Sequence, residues 1–484
     1  MASRAKQEVE AGSAESYAKI NENPFLEASR APLSTFSVDV DTASYSNTRR
    51  FLTQRIMPPK DAVRIEELVN YFSYDYPQPT GSAPFSVTTE VAECPWNAKH
   101  KLVQIGLQGK RVSTEDMPPA NLVFLLDVSG SMNAPDKLPL VKSALRRLAG
   151  QLSARDRVAI VVYAGSTGLV LDSTPGDRKG EIISAFERLQ AGGSTNGGSG
   201  IQLAYRVAQD NFIEGGVNRV ILATDGDFNV GMTGDDALVR LIEEKRRGGV
   251  FLSVFGFGTG NLNDSMMEKL ADKGNGNYAY IDTDAEARKA LGDQVGGTLV
   301  TIAKDVKIQV EFNARLVAGY RLIGYENRLL ADRDFNDDTK DAGEIGAGHT
   351  VTALYEIVPA GQKVENPGVD DLKYAQVTPQ TTADAGANEL LTVKLRYKEP
   401  DGDESKLLSV GVVNNNAGYR NASENFRFAS SVAEFGMLLR DSRYKGQSSY
   451  DGALELARAS AGADLRGYRA EFVKLVETAK SLSE

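Results

Sequence analysis

A single cysteine, Cys94, in 484 residues excludes an intramolecular disulfide and any zinc site built on cysteine. Histidine is almost as scarce, since His100 and His349 alone are too few for the ligand sets of typical zinc enzymes. No run of 18 or more apolar residues occurs, so no segment is long and apolar enough to cross a bilayer as a helix. Lys and Arg form no tract, and the net charge is −10, which speaks against a nucleic-acid surface or an anionic-membrane surface. The first 24 residues are small and polar and have no apolar core of the signal-peptide kind. They read as a tether, and a natural precursor could have carried an export signal ahead of them. The length is too great for one core and suggests about three domains.

What is present turns on Asn121-Leu-Val-Phe-Leu-Leu-Asp127-Val-Ser129-Gly-Ser131, an unbroken apolar run that ends in a carboxylate and two hydroxyls. Such a run fits a strand covered on both faces, as in a parallel sheet flanked by helices. Ligands of such sheets bind just beyond the carboxyl ends of the strands, where Asp127, Ser129 and Ser131 fall. Gly130 lets the backbone bend between the two serines. Two later stretches add oxygen ligands: Thr195 in Gly192-Gly-Ser-Thr195-Asn-Gly-Gly, and Asp225 directly after the apolar Val220-Ile-Leu-Ala. A serine-rich turn capping a helix would explain Ser129 or Ser131 singly, not all five oxygens. The glycine-rich stretch is no dinucleotide or phosphate loop, because it lacks both the Gly-x-Gly-x-x-Gly spacing and a Gly-Lys-Ser/Thr ending. Asp227, just past Asp225, reads as a cap for the following loop.

Read in order, residues 1–34 form a flexible tether and residues 35–84 an N-terminal helical region, with Pro58 and Pro59 separating two helical segments. Asp39 and Asp41 read as turn and cap residues rather than cation ligands. Residues 118–301 alternate strand and helix and are expected to form a Rossmann-like α/β domain, a central mostly parallel sheet with helices on both faces. One long helix is expected over 284–299, opened by the capping box Thr283-Asp-Ala-Glu286. Residues 85–117 and 302–415 read as strands, two candidates before the sheet domain and five after it. The two flanks are therefore expected to join in one β-sandwich into which the sheet domain is inserted. Residues 416–484 read as a C-terminal helical region of two or three helices. Trp96 is assigned to packing. The acidic loop 332–344 could hold Ca2+, but it lacks the Gly and Glu of an EF-hand, and a solvated hairpin loop is favoured.

Asp-x-Ser-x-Ser, then Thr, then Asp-Gly, in that order, resembles the metal-ion-dependent adhesion site of von Willebrand factor A domains. Phe36-Ser-Val-Asp-Val-Asp-Thr-Ala-Ser-Tyr-Ser-Asn, Tyr71-Phe-Ser-Tyr-Asp-Tyr-Pro and Asp338-Thr-Lys-Asp-Ala-Gly-Glu-Ile-Gly-Ala-Gly-His look like the bacterial YfbK family. The first resemblance implies that Ser129, Ser131 and Thr195 touch a cation, while Asp127 and Asp225 hold its waters or bind it directly. Mg2+ is the expected ion and Mn2+ a possible substitute. A hard ion held largely by neutral hydroxyls keeps an open position for a carboxylate. The implied function is thus a non-enzymatic module that grips an Asp or Glu on a protein partner. The second resemblance implies an extracytoplasmic site, periplasm or cell surface, since family members commonly carry an export signal, often of lipoprotein type, that would supply a lipid anchor. The alternative is a cytoplasmic adaptor subunit for an AAA-type ATPase. Metal-assisted hydrolysis would need Asp225 or Asp227 as general base, and both are explained more simply as ligand or cap.

Overall fold

The strand signals resolve into three sheets carried by two compact units. The computed structural model describes residues 15–113, 115–194, 197–226, 235–293, 295–364, 388–415 and 417–484. One unit holds the described part of Met1–Ala18 with Asp41–Ser46 and Val112–Thr301; the other holds Lys19–Val40, Asn47–Arg111 and Ile302–Glu484. Four strands come first: β1 (Leu26–Glu27), β2 (Leu33–Ser37), β3 (Phe85–Cys94) and β4 (Asn97–Gly109). The inserted segment adds β5 (Ala120–Asp127), β6 (Arg157–Tyr163), β7 (Thr167–Pro175), β8 (Val217–Thr224), β9 (Phe251–Phe257) and β10 (Tyr278–Ile281). After it come β11 (Thr301–Phe312), β12 (Val317–Ile323), β13 (Gly343–Gly346), β14 (Thr350–Pro359), β15 (Glu389–Lys398) and β16 (Lys406–Val413).

In the inserted unit the sheet order is β10-β9-β8-β5-β6-β7. Neighbours run parallel except β7, which lies antiparallel on β6 at the edge. Residues Leu122 to Leu126 of the central β5 are at most 1% exposed, which accounts for the unbroken apolar run. Val123 and Leu125 pack with Ile201, Tyr205, Leu238 and Leu270 on one face. On the other, Phe124 meets Phe186 edge to face, ring centroids 5.7 Å apart. The helix expected over 284–299 is broken into Asp284–Arg288, a π-helical turn Lys289–Asp293, and Val295–Leu299. Gly292, Gly296 and Gly297 weaken helical continuity there. The Thr283 hydroxyl nevertheless accepts the Glu286 N–H at 3.2 Å, so the first half of the expected capping box is formed.

The other unit is a two-sheet sandwich, β1-β12-β14-β4-β3 against β13-β11-β15-β16, with β2 also paired to β11. Phe36, Ile105, Ile308, Val310, Tyr320 and Tyr355 share its core. Phe312 and Tyr320 stack at 3.7 Å between centroids. Both flanks of the insertion contribute strands, and β1, β2 and β13 add to the seven candidates read from alternation. β1 and β13 are too short to show a period, and β2 is largely polar.

Two boundaries need correction. Residues 1–34 are not a tether throughout, because β1 pairs with β12 and Leu33 and Ser34 begin β2. Residues 35–84 do not stand apart as a helical region either. Phe72, following the helix Ile65–Asn70, meets Phe428 at 4.8 Å and Phe472 at 5.6 Å between centroids. Those rings lie on two of the C-terminal helices, Glu424–Arg440, Tyr450–Ala459 and Tyr468–Ser483. A short helix followed by the aromatic pair Tyr71-Phe72 needs a partner to cover it, and local periodicity does not reveal one hundreds of residues away.

The sandwich unit also buries a charged cluster. Glu356, 2% exposed, accepts from Trp96 Nε1 at 3.1 Å, Arg321 Nη2 at 3.0 Å and His100 Nδ1 at 2.6 Å. Trp96 is thus a packing residue with its indole N–H satisfied. Removing the carboxylate strands the Arg321 charge, so Glu356→Ala is expected to lower the unfolding free energy by about 3–5 kcal/mol. Denaturant unfolding checks this, and a loss below about 1 kcal/mol would contradict the assignment.

Candidate metal centre

The site is built where three parallel strands end together. Asp127 closes β5, opposite Tyr163 of β6, and Leu126 pairs with Ala223 of β8, so Thr224 and Asp225 emerge at the same edge. Asp127 is fully buried. Its Oδ1 accepts the Ser129 N–H at 2.9 Å, and its Oδ2 accepts the Tyr163 hydroxyl at 3.2 Å and the Thr224 hydroxyl at 3.4 Å. Both oxygens are therefore fixed in direction. Ser129 and Ser131 bring their Oγ atoms to 2.9 Å from each other; Ser129 is buried and Ser131 exposed. The Gly130 N–H donates to Gly193 O at 3.0 Å and the Gly192 N–H to Val128 O at 2.8 Å. These two bonds tie the glycine-rich loop to the serine loop. Of the five residues singled out, the structure brings Asp127, Ser129, Ser131 and Asp225 to one strand edge. Thr195, like Asp227, lies outside the described residues.

Three participants escaped sequence reasoning. Tyr163 and Thr224 hold the Asp127 carboxylate, and only the strand register brings them there. The third is Lys137, whose Nζ donates to Asp225 Oδ2 at 2.8 Å, with both side chains buried. Lys137 stands immediately before the helix Leu138–Gln151. A cation is disfavoured at the positive end of a helix, and that mismatch was the available signal.

Burial pushes the Asp127 carboxyl up to about 6; the nearby Asp225 charge adds to the rise, and the bonds from Ser129 and Tyr163 oppose it. Two carboxylates close together in a dry site, beside paired hydroxyls, form a hard-oxygen donor set suited to a divalent cation. Asp127, Ser129, Ser131 and Asp225 could hold one. A bound cation would offset both the burial and the Asp225 charge that raise the Asp127 carboxyl.

The other acidic groups are engaged differently. In the loop 332–344, Asp332 accepts from the Thr35 hydroxyl at 2.9 Å and Asp338 accepts the Ser405 N–H at 3.4 Å. Lys307 Nζ reaches the Asp334 carbonyl at 3.1 Å and also that of Asp337, and Lys398 Nζ reaches the Asp338 carbonyl at 2.7 Å. Positive charge already lies against this loop in the form of ammonium groups, which speaks against a Ca2+ site, and its last residues enter β13 in the other sheet rather than closing a hairpin. Asp39 accepts from Arg328 at 3.1 Å, and Asp41 accepts the Tyr278 N–H at 2.8 Å. Cys94 is buried, and burial pushes its thiol well above the usual range.

The raised Asp127 carboxyl fixes the sign of a pH effect. Between about pH 4 and 6 the folded chain holds a proton there that the unfolded chain has lost. That contribution is present below pH 4 and is lost as pH rises through 6. The metal-free protein should therefore lose about 3 kcal/mol of stability from this group across the window, at about 1.36 kcal/mol per pKa unit. Unfolding of chelator-treated wild type and Asp127→Asn at stepped pH measures it; parallel profiles would contradict the prediction. Cation affinity should weaken as pH falls through the same window, since the proton and the cation compete for Asp127.

Comparison with known proteins places the chain. Residues 121–294 match the von Willebrand factor type A domain family, and residues 297–482 match the family described as Uncharacterized protein YfbK, C-terminal. Residues 11–104 match a family described as von Willebrand factor. The chain is 43% identical over 475 residues to Uncharacterized protein YfbK of Escherichia coli (strain K12), covering 97% of this chain and 81% of that protein. It is 30% identical over 196 residues to Inter-alpha-trypsin inhibitor heavy chain H4 of Homo sapiens, which is 38% of this chain and 21% of that one. Among solved structures, von Willebrand factor type A from Catenulispora acidiphila aligns with a TM-score of 0.44 and 16% identity, over 84% of this chain and 92% of that chain. The length and identity of the Escherichia coli match decide the assignment: the chain belongs to the YfbK family and carries a von Willebrand factor type A domain.

Proposed function

We propose that the A domain is a non-enzymatic binding module that grips an Asp or Glu carboxylate of a protein partner through a divalent cation. Asp127, Ser129, Ser131, Thr195 and Asp225 would hold the ion, with Mg2+ as the resident species and Mn2+ as a substitute. The observation that carries this reading is the layering of the donors. The two carboxylates are at most 1% exposed, whereas Ser131, whose Oγ lies 2.9 Å from that of Ser129, is an exposed residue. Negative charge lies at the back and neutral oxygen at the front, which leaves the outer side of the ion without a charged ligand and suits it to a carboxylate from outside. The compartment we propose is extracytoplasmic, on the export signals common among YfbK-like proteins. Cell fractionation of the natural gene product tests this against the cytoplasmic ATPase-adaptor alternative.

The cation itself is tested by unfolding the chelator-treated protein with and without Mg2+. At about 100 times its dissociation constant, the ion should stabilise wild type by roughly 2.7 kcal/mol, and Asp127→Ala by nothing measurable. An equal shift in both, or none in wild type, would contradict the reading.

A further inference from the structure

Lys137 is a cation bonded to one of the two buried carboxylates, and its placement is built rather than incidental. Its Nζ lies 2.8 Å from Asp225 Oδ2, with the side chains 8% and 0% exposed. Its stem crosses Gly258, just past the end of β9. A Cβ at Gly258 would overlap Lys137 Cγ, Cδ and Cε, and Gly258 adopts a φ of +73°, which other residues rarely tolerate. The Gly258 carbonyl accepts the Tyr280 hydroxyl at 2.7 Å, which fixes this stretch of backbone. At the other end, Lys137 O accepts the Val141 N–H at 2.9 Å as the helix begins. The lysine is thus threaded between a helix start and a glycine, with its charge delivered to one oxygen of Asp225.

We infer that Lys137 is a resident counter-cation that tunes the metal centre: it weakens the grip on the divalent ion and leaves the loaded site one positive charge in excess, to be neutralised by the partner's carboxylate. The inference rests on the cation reading of Asp127 and Asp225. Taken as a set, Asp127, Asp225 and Lys137 carry two negative charges and one ammonium when both carboxylates are ionised, a sum of one negative charge. A divalent ion takes it to one positive charge. Without the lysine, the same ion would bring the cluster to zero, and an incoming carboxylate would meet no surplus. Lys137 therefore exchanges affinity for the ion against affinity for the partner group. It also lessens the repulsion between Asp127 and Asp225 when no divalent ion is bound, which keeps the empty unit folded. The hydrogen bond alone does neither; the charge does both.

The test is calorimetric titration of Mg2+ into the chelator-treated full chain, as wild type, Lys137→Met, Lys137→Gln and Lys137→Arg. Lys137→Gln retains a donor in the same direction and serves if Lys137→Met does not fold, as judged by near-ultraviolet circular dichroism. Removing the charge should tighten Mg2+ binding by about tenfold or more in the Met and Gln variants, while Lys137→Arg should stay close to wild type. Adding acetate at constant ionic strength should tighten Mg2+ binding in wild type and do so less in Met and Gln. If wild type binds Mg2+ and the Met and Gln variants bind it equally or more weakly, the counter-cation role is wrong while the cation reading stands. If neither wild type nor variants bind Mg2+, both fall. If acetate leaves wild-type Mg2+ binding unchanged, the surplus-charge step is overturned, whatever the variants do to the ion.

Discussion

Two carboxylates at the end of a buried strand impose the constraint on which the domain is arranged. Asp127 and Asp225 are almost wholly withdrawn from water, and ionised groups in such a place must be hydrogen-bonded, paired or neutralised. The fold meets that demand in layers. Ser129, Tyr163 and Thr224 donate to Asp127, and Lys137 donates to Asp225. One of the two carboxyls is still pushed up to about 6, so the compensation is incomplete. A site left in that condition favours a divalent cation on electrostatic grounds.

The parallel sheet makes this economical. β5, β6 and β8 are in register, so three chain segments far apart in sequence release their polar ends at one edge. A strand whose two faces are both covered by helices carries apolar side chains along its length. Exposed polar chemistry is therefore confined to its terminus, and β5 changes from the apolar Leu126 to the Asp127 carboxylate within one residue. The sandwich unit shows the same electrostatic rule with a different outcome, because Glu356 is satisfied entirely by Trp96, His100 and Arg321.

Much of this was legible from the chain alone, for identifiable reasons. The apolar run before Asp127 announces a doubly covered strand, and the abrupt change to Asp, Ser and Ser marks its end. Alternation announced the longer sandwich strands on both flanks. What stayed hidden depends on register and on distant partners. Nothing local tells that Tyr163 would face Asp127, or that Phe72 would be covered by Phe428 and Phe472. β1 has two residues and β13 has four, too few to carry a period. Lys137 was visible as a charge out of place at a helix start, but its target was not. The break at Lys289–Asp293 inside the expected long helix reflects Gly292, Gly296 and Gly297, whose cost to a helix the apolar period does not show.

Whether a divalent ion sits among these oxygens decides how the domain works. A crystal grown in Mn2+ after chelation, measured on either side of the manganese absorption edge, would locate it without assumption. An anomalous peak bounded by Ser129, Ser131 and the Asp127 and Asp225 carboxylates, absent in Asp127→Ala, is the result predicted. Crystals in saturating Mn2+ with no peak there, and with Lys137 still bonded to Asp225, would contradict the cation reading.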